Sequence, residues 1–160
     1  MLYPRLLRDD FEKLPKALRL FHSAPGGGRA SGKVTIRHTS GLLARLLGFP
    51  PSGENVPLQL EVVADENKEV WIRRFGKVVR RSVQRCSGDL LREEFGPVRL
   101  FFRIRADESG LRFSSLRARL WMIPLPLRVE AREDGGDFSW NFEVTVRGVG
   151  SYRGVVVPIT

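Results

Sequence analysis

From Gly32 onward the chain alternates apolar and polar residues at a period of two, in short runs divided by turn residues, and that pattern commits it to antiparallel β structure. The alternation is plain in Lys33-Val34-Thr35-Ile36-Arg37, in Leu58-Gln59-Leu60-Glu61-Val62 and in Arg99-Leu100-Phe101-Phe102-Arg103-Ile104-Arg105. It recurs in 127–132 and most clearly in 138–147. Side chains on a strand point alternately to opposite faces, so each run makes one wet and one dry face. Between the runs lie Asp65-Glu66-Asn67-Lys68, Phe75-Gly76-Lys77, Ser87-Gly88-Asp89, Gly96-Pro97, Glu108-Ser109-Gly110 and Asp134-Gly135-Gly136-Asp137, all at hairpin spacing.

Two stretches break the period. In the first 23 residues Phe11, Leu14, Leu18 and Phe21 fall three or four apart behind Asp9-Asp10, which predicts an N-terminal helix with Pro15 near its first turn. Pro25-Gly26-Gly27-Gly28 stops it. Between the first and second strands, Ser40 as an N-cap and Gly48 as a C-cap frame a short leucine-rich helix over 41–47. The expected fold is therefore mainly β (α+β): one domain over 1–160, an antiparallel meander of about nine strands forming a barrel or strongly curved half-barrel, with both helices in the first third. The last run, Gly150 to Pro158, reads as a final strand rather than the long helix that a helix-grip fold requires.

Composition narrows the functional classes. A single cysteine, Cys86, allows no intrachain disulfide and suits a reduced, cytoplasmic setting. The opening residues offer no apolar core of a signal peptide, and the longest nearly apolar run, 120–127, is too short for a transmembrane helix and is broken by Pro124 and Pro126. The net charge is +9, and 22 of the 27 basic residues are arginine.

Several chemical signatures fail on context. Gly27-Gly28-Arg29-Ala30-Ser31-Gly32-Lys33 has the glycine and lysine spacing of a phosphate-binding loop, but Val34 stands where a hydroxyl is needed, and a strand follows where a helix is needed. His22 and His38 lack the partners of a metal site, and Cys86 beside Arg85 lacks a base. Glu93 and Glu94 are strand neighbours on opposite faces. Arg103, Arg105, Arg112, Arg117, Arg119, Arg128 and Arg132 could form a basic outer stripe, yet interleaved carboxylates on the same faces and inward-phased aromatics argue against nucleic acid as partner. No cofactor is expected, and no catalytic set stands out.

The dry face carries the positive signal. A barrel of this size leaves room for a small ligand unless large side chains fill it. Trp71, Phe75, Phe95, Phe102, Trp121, Trp140 and Tyr152 are the expected lining, with Arg73 a candidate partner for an acidic head group. The helix over 41–47 and Phe49-Pro50-Pro51 would form a lid or plug. Binding of an apolar or amphipathic small molecule is the leading expectation, a homodimer is compatible with it, and an enzyme in its own right is the weaker one.

The order of several short motifs resembles the bacterial family called domain of unknown function 4166. These are Leu2-Tyr3-Pro4-Arg5-Leu6-Leu7, Leu14-Pro15, Gly48-Phe49-Pro50, Trp71-Ile72-Arg73-Arg74-Phe75-Gly76, Glu93-Glu94-Phe95-Gly96-Pro97, Pro124-Leu125-Pro126 ahead of Glu133, and Tyr152-Arg153-Gly154. The stretch after Pro124 is shorter here than the family pattern. The resemblance implies no assigned chemistry. It does imply a possible partner, since related chains join this unit to a region similar to nicotinamide-dependent oxidoreductases; an accessory domain of such an enzyme is the alternative reading.

Overall fold

A computed structural model describes residues 1–159. Eleven antiparallel strands and four short helical segments begin in the order α1 (Leu2–Leu7), a 3-10 segment (Arg8–Lys13), α2 (Lys16–Ser23), β1 (Arg29–His38), α3 (Gly41–Leu46), β2 (Gly53–Ala64), β3 (Glu69–Phe75), β4 (Val78–Ser87) and β5 (Leu90–Phe95). Then come β6 (Val98–Asp107), β7 (Gly110–Leu120), β8 (Ile123–Leu125), β9 (Val129–Gly135), β10 (Trp140–Val146) and β11 (Gly150–Pro158). Ten strands close into a ring, because β1 pairs with β11, β6 pairs with β7, and β7 also pairs with β9. The short β8 adds to the outer end of β7 through Ala118↔Leu125 and Leu120↔Ile123. Closure abolishes the unpaired edges that an open meander would expose.

The hairpins make the ring possible. Phe75 pairs with Val78 and Phe95 with Val98 across two-residue turns, where Gly76 and Gly96 take φ of 57° and 54°, a region that costs other residues steric strain. The barrel thus has two distinct ends. The β2–β3, β4–β5, β6–β7 and β9–β10 turns lie at one end, which we call the floor. The β3–β4, β5–β6, β7–β8 and β10–β11 turns and the β1–β2 connection lie at the other, the mouth.

The N-terminal region differs from the single helix expected. Leu14 is extended (φ −62°, ψ 144°), as a residue before proline prefers, so the chain breaks there and α2 begins after Pro15. Leu2, Tyr3, Leu14, Leu18 and Phe21 are buried, and these segments cap the floor. Two more strands exist than the alternation suggested. β8 is only three residues long, and β4 turns polar residues inward, which hides its phase.

Candidate functional site

The barrel encloses a cavity of about 310 Å³, at the small end of the range of small-molecule sites, roughly 300–1,000 Å³. Its walls come from the inward phase of nearly every strand: Leu58 and Leu60 of β2, Leu100 and Phe102 of β6, Val129 and Ala131 of β9, and Phe142 and Val144 of β10. Tyr3 of α1 lines it from the floor side, with Trp71 and Trp140, the latter only 1% exposed. Phe21 of α2 packs edgewise and tilted on these two indoles, with centroids 5.8 and 4.9 Å away.

Across this apolar interior runs a polar strip on β3, β4 and β5. Arg73 Nη1 donates to Ser82 Oγ at 2.7 Å, Arg73 Nη2 donates to Glu93 Oε1 at 2.9 Å, and Ser82 Oγ donates to the same carboxylate oxygen at 2.6 Å. The guanidinium also lies 4.9 Å from the Trp71 ring centroid and 5.9 Å from that of Phe95, a stacked position that suits arginine rather than lysine. Burial works against the charge of Arg73, but Glu93, Tyr152 and Tyr3 outweigh it and hold its pKa above the usual value. Next along β4, Gln84 Oε1 accepts from Tyr3 OH at 3.0 Å.

Two further carboxylates face inward near the floor. Glu133 Oε2 lies 3.1 Å from His22 Nε2, and Glu69 Oε1 accepts from the Leu2 backbone N–H at 3.1 Å. The field of Glu133 is felt by both inward tyrosines and that of Glu69 by Tyr3. Tyr3 is pushed well above its ordinary pKa by burial first and then by Glu69, Glu133 and Glu93. Tyr152 is pushed up to about 12, again by burial, with Glu93 and Glu133 adding to it against Arg73. The indole N–H groups of Trp71 and Trp140 are buried without a hydrogen-bond acceptor.

At the mouth, α3 and residues 47–50 form a strap. Leu47, Gly48, Phe49 and Pro50 all line the cavity. Arg80 Nε donates to the Gly48 carbonyl, His38 Nε2 donates to the Pro50 carbonyl at 2.7 Å, and Phe49 packs on Tyr152 with centroids 5.6 Å apart. His38 is therefore a fastener of the strap, and His22 a floor residue packed 4.0 Å from the Tyr3 ring. Cys86 is half-buried against the core.

Trp71, Arg73, Phe75, Phe95, Phe102, Trp140 and Tyr152 all line the one cavity. Trp121 does not. It sits in the tight β7–β8 turn with φ of 52°, its backbone N–H held by the Pro97 carbonyl at 2.9 Å, and its side chain is 64% exposed. Sequence reasoning did not place Ser82, Gln84, Glu93 or Glu133 in the interior. The signal for the first two was there, since β4 reads Val79, Val83 on one phase and Ser82, Gln84 on the other, but a rule that sends polar residues outward assigns that strand the wrong face. Glu93 does lie inward and Glu94 outward, where it pairs with Arg92 and Arg99. Among the described residues no cluster of three or more His, Cys, Asp or Glu has the arrangement of a metal site.

Fold and interior together define a closed antiparallel β barrel with a mostly apolar internal cavity and an ion-paired polar strip. The chain belongs to the family described as domain of unknown function (DUF4166), whose sequence profile matches residues 14–155. No curated protein and no solved structure matches it.

Proposed function

We propose that the barrel holds one amphipathic small molecule, its apolar body against Leu58, Leu100, Val129 and Phe142 and its polar end on Arg73 and Glu93, the ion pair of the strip that lines the cavity. The observation that carries this reading is a 310 Å³ cavity, mainly apolar, with one localised set of hydrogen-bonding groups in its wall. Two buried indole N–H groups on residues bordering the cavity add to it, since each unmade hydrogen bond costs about 1–3 kcal/mol and a ligand acceptor could recover that.

The electrostatics favour an uncharged head group, a hydroxyl or carbonyl. Arg73 is already committed to Glu93, and the interior carries three carboxylates, Glu69, Glu93 and Glu133, so an added anion would meet more repulsion than attraction. The test is calorimetric titration with an alcohol and a carboxylate of equal chain length. The alcohol should bind at least about tenfold more tightly, a difference of roughly 1.4 kcal/mol. Ala131→Trp, which fills the cavity, should abolish the heat of both. Unchanged binding by the filled variant would remove the cavity from the account.

An accessory domain docking an oxidoreductase draws its support from exposed apolar residues at the mouth, Leu42 of α3 at 72% and Met122 of the β7–β8 turn at 73%. That surface has another claimant.

A further inference from the structure

The two ends of the barrel differ in charge as well as in closure. Turns at the floor end carry Asp65, Glu66, Asp89, Asp107, Glu108 and Asp137, with Lys68 paired to Asp65 at 3.4 Å. Turns and strand ends at the mouth carry Lys77, Arg117, Arg119, Arg128 and Arg147, whose side chains have no acidic partner among the described residues. The carboxylates on that side are Glu94, shared between Arg92 and Arg99, Glu54 on β2, across the ring from β7, and the exposed Glu130, second residue of β9 and opposite Ser114 of β7. On the outer wall Arg112 pairs with Asp134 and Arg132 with Glu143, both at 2.7 Å, while Arg81, Arg103, Arg105 and Arg153 have no acidic partner among the described residues either.

Among the unmatched arginines projects an apolar tip. Trp121, Met122 and Ile123 are 64%, 73% and 61% exposed in consecutive positions of the β7–β8 turn. Three adjacent large apolar side chains standing in water are costly, and a tryptophan at a tip ringed by arginine has the chemistry of the interface between lipid headgroups and acyl chains. Unpaired cations beside it match an anionic surface.

We infer that the mouth of the barrel docks on an anionic lipid bilayer, with Trp121, Met122 and Ile123 entering the interface and Arg117, Arg119, Arg128 and Arg147 meeting the headgroups. Docking brings the cavity opening to the acyl-chain boundary, where an amphipathic ligand would be found. It does not depend on the cavity being filled or empty.

The chain has three tryptophans, of which Trp71 and Trp140 are 4% and 1% exposed, so a change in emission on docking reports Trp121. The experiment is flotation and fluorescence titration of the full chain with vesicles of phosphatidylcholine alone and of equal parts phosphatidylcholine and phosphatidylglycerol. Binding and a blue shift are expected with the anionic vesicles only. The triple variant Arg117→Gln, Arg119→Gln, Arg128→Gln should weaken binding roughly fivefold per arginine, about a hundredfold together. Trp121→Ser should remove the blue shift and the part of the binding that survives high salt. Phe138→Ser, at an 80% exposed tip of the floor, should change neither. Arg117, Trp121 and Arg128 are exposed and Arg119 half-buried, and a circular dichroism melt checks that each variant folds. Equal binding to both vesicle types, loss of binding with Phe138→Ser, or tight capture of a single-stranded oligonucleotide without vesicle binding would overturn the inference. Ala131→Trp should still dock, so failure here and failure of the cavity reading separate.

Discussion

The floor and the mouth of one barrel are built on opposite principles. At the floor, α1 and α2 close the ring with Leu2, Leu14, Leu18 and Phe21, all 5% exposed or less. At the mouth, closure falls to α3 and residues 47–50, and two side chains, Arg80 and His38, hold that strap by its carbonyls. A floor closed by helices and a mouth closed by a strap would give the proposed ligand site one entrance. Apolar burial scales with area and dominates at the floor, whereas at the strap two polar bonds to backbone, each contributing about 0.5–1.5 kcal/mol, add to the packing of Phe49 on His38 and Tyr152.

The largest effect should come from the polar strip between the two ends. Glu93→Ala leaves the Arg73 guanidinium buried without its partner and should cost about 3–5 kcal/mol in urea denaturation. Replacing both, Arg73→Met with Glu93→Leu, should recover most of that stability, and with it separate the strip's part in ligand binding from its part in folding. At the floor, Leu18→Ala should cost about 2–5 kcal/mol, because Leu18 is fully buried under the ring. A value below 1 kcal/mol would mean that the N-terminal segment is a loose cover.

Alkaline pH probes the inward tyrosines. Their folded pKa values lie above the unfolded value of about 10, so folded and unfolded chains bind protons equally below that pH. Above it the unfolded chain releases protons that the folded one retains, and stability falls. Tyr152 alone, raised to about 12, should cost about 2–3 kcal/mol between pH 10 and 12, visible as a falling Tm. Tyr152→Phe should flatten that part of the curve. The smallest effect is expected at the strap. Arg80→Gln should cost about 1 kcal/mol or less and leave the barrel intact, while speeding ligand exchange, which a stopped-flow trace would record.

Strand alternation and turn chemistry carried most of the fold, since Val34, Ile36, Leu58, Phe102, Phe113 and Phe142 point inward as a period of two requires. Closure was not legible. It depends on β6 meeting β7 and β11 meeting β1, pairings that distant turns permit but no local pattern specifies. The aromatic lining was legible for the same reason as the strands, and Trp121 was misplaced because its phase ends at the turn: a residue with positive φ no longer follows the strand's alternation. The polar strip was the hardest to read. Buried ion pairs contradict the binary pattern locally and make sense only once Arg73, Ser82 and Glu93 are brought together by the β3–β4–β5 pairing.

If the cavity is a ligand site, native mass spectrometry of the purified protein, followed by organic extraction, finds its occupant. A single stoichiometric adduct is expected that is uncharged, largely apolar and carries one hydroxyl or carbonyl group, and that is absent from Ala131→Trp. An unadorned mass for the native protein, together with no binding of either the alcohol or the carboxylate, would contradict the proposal.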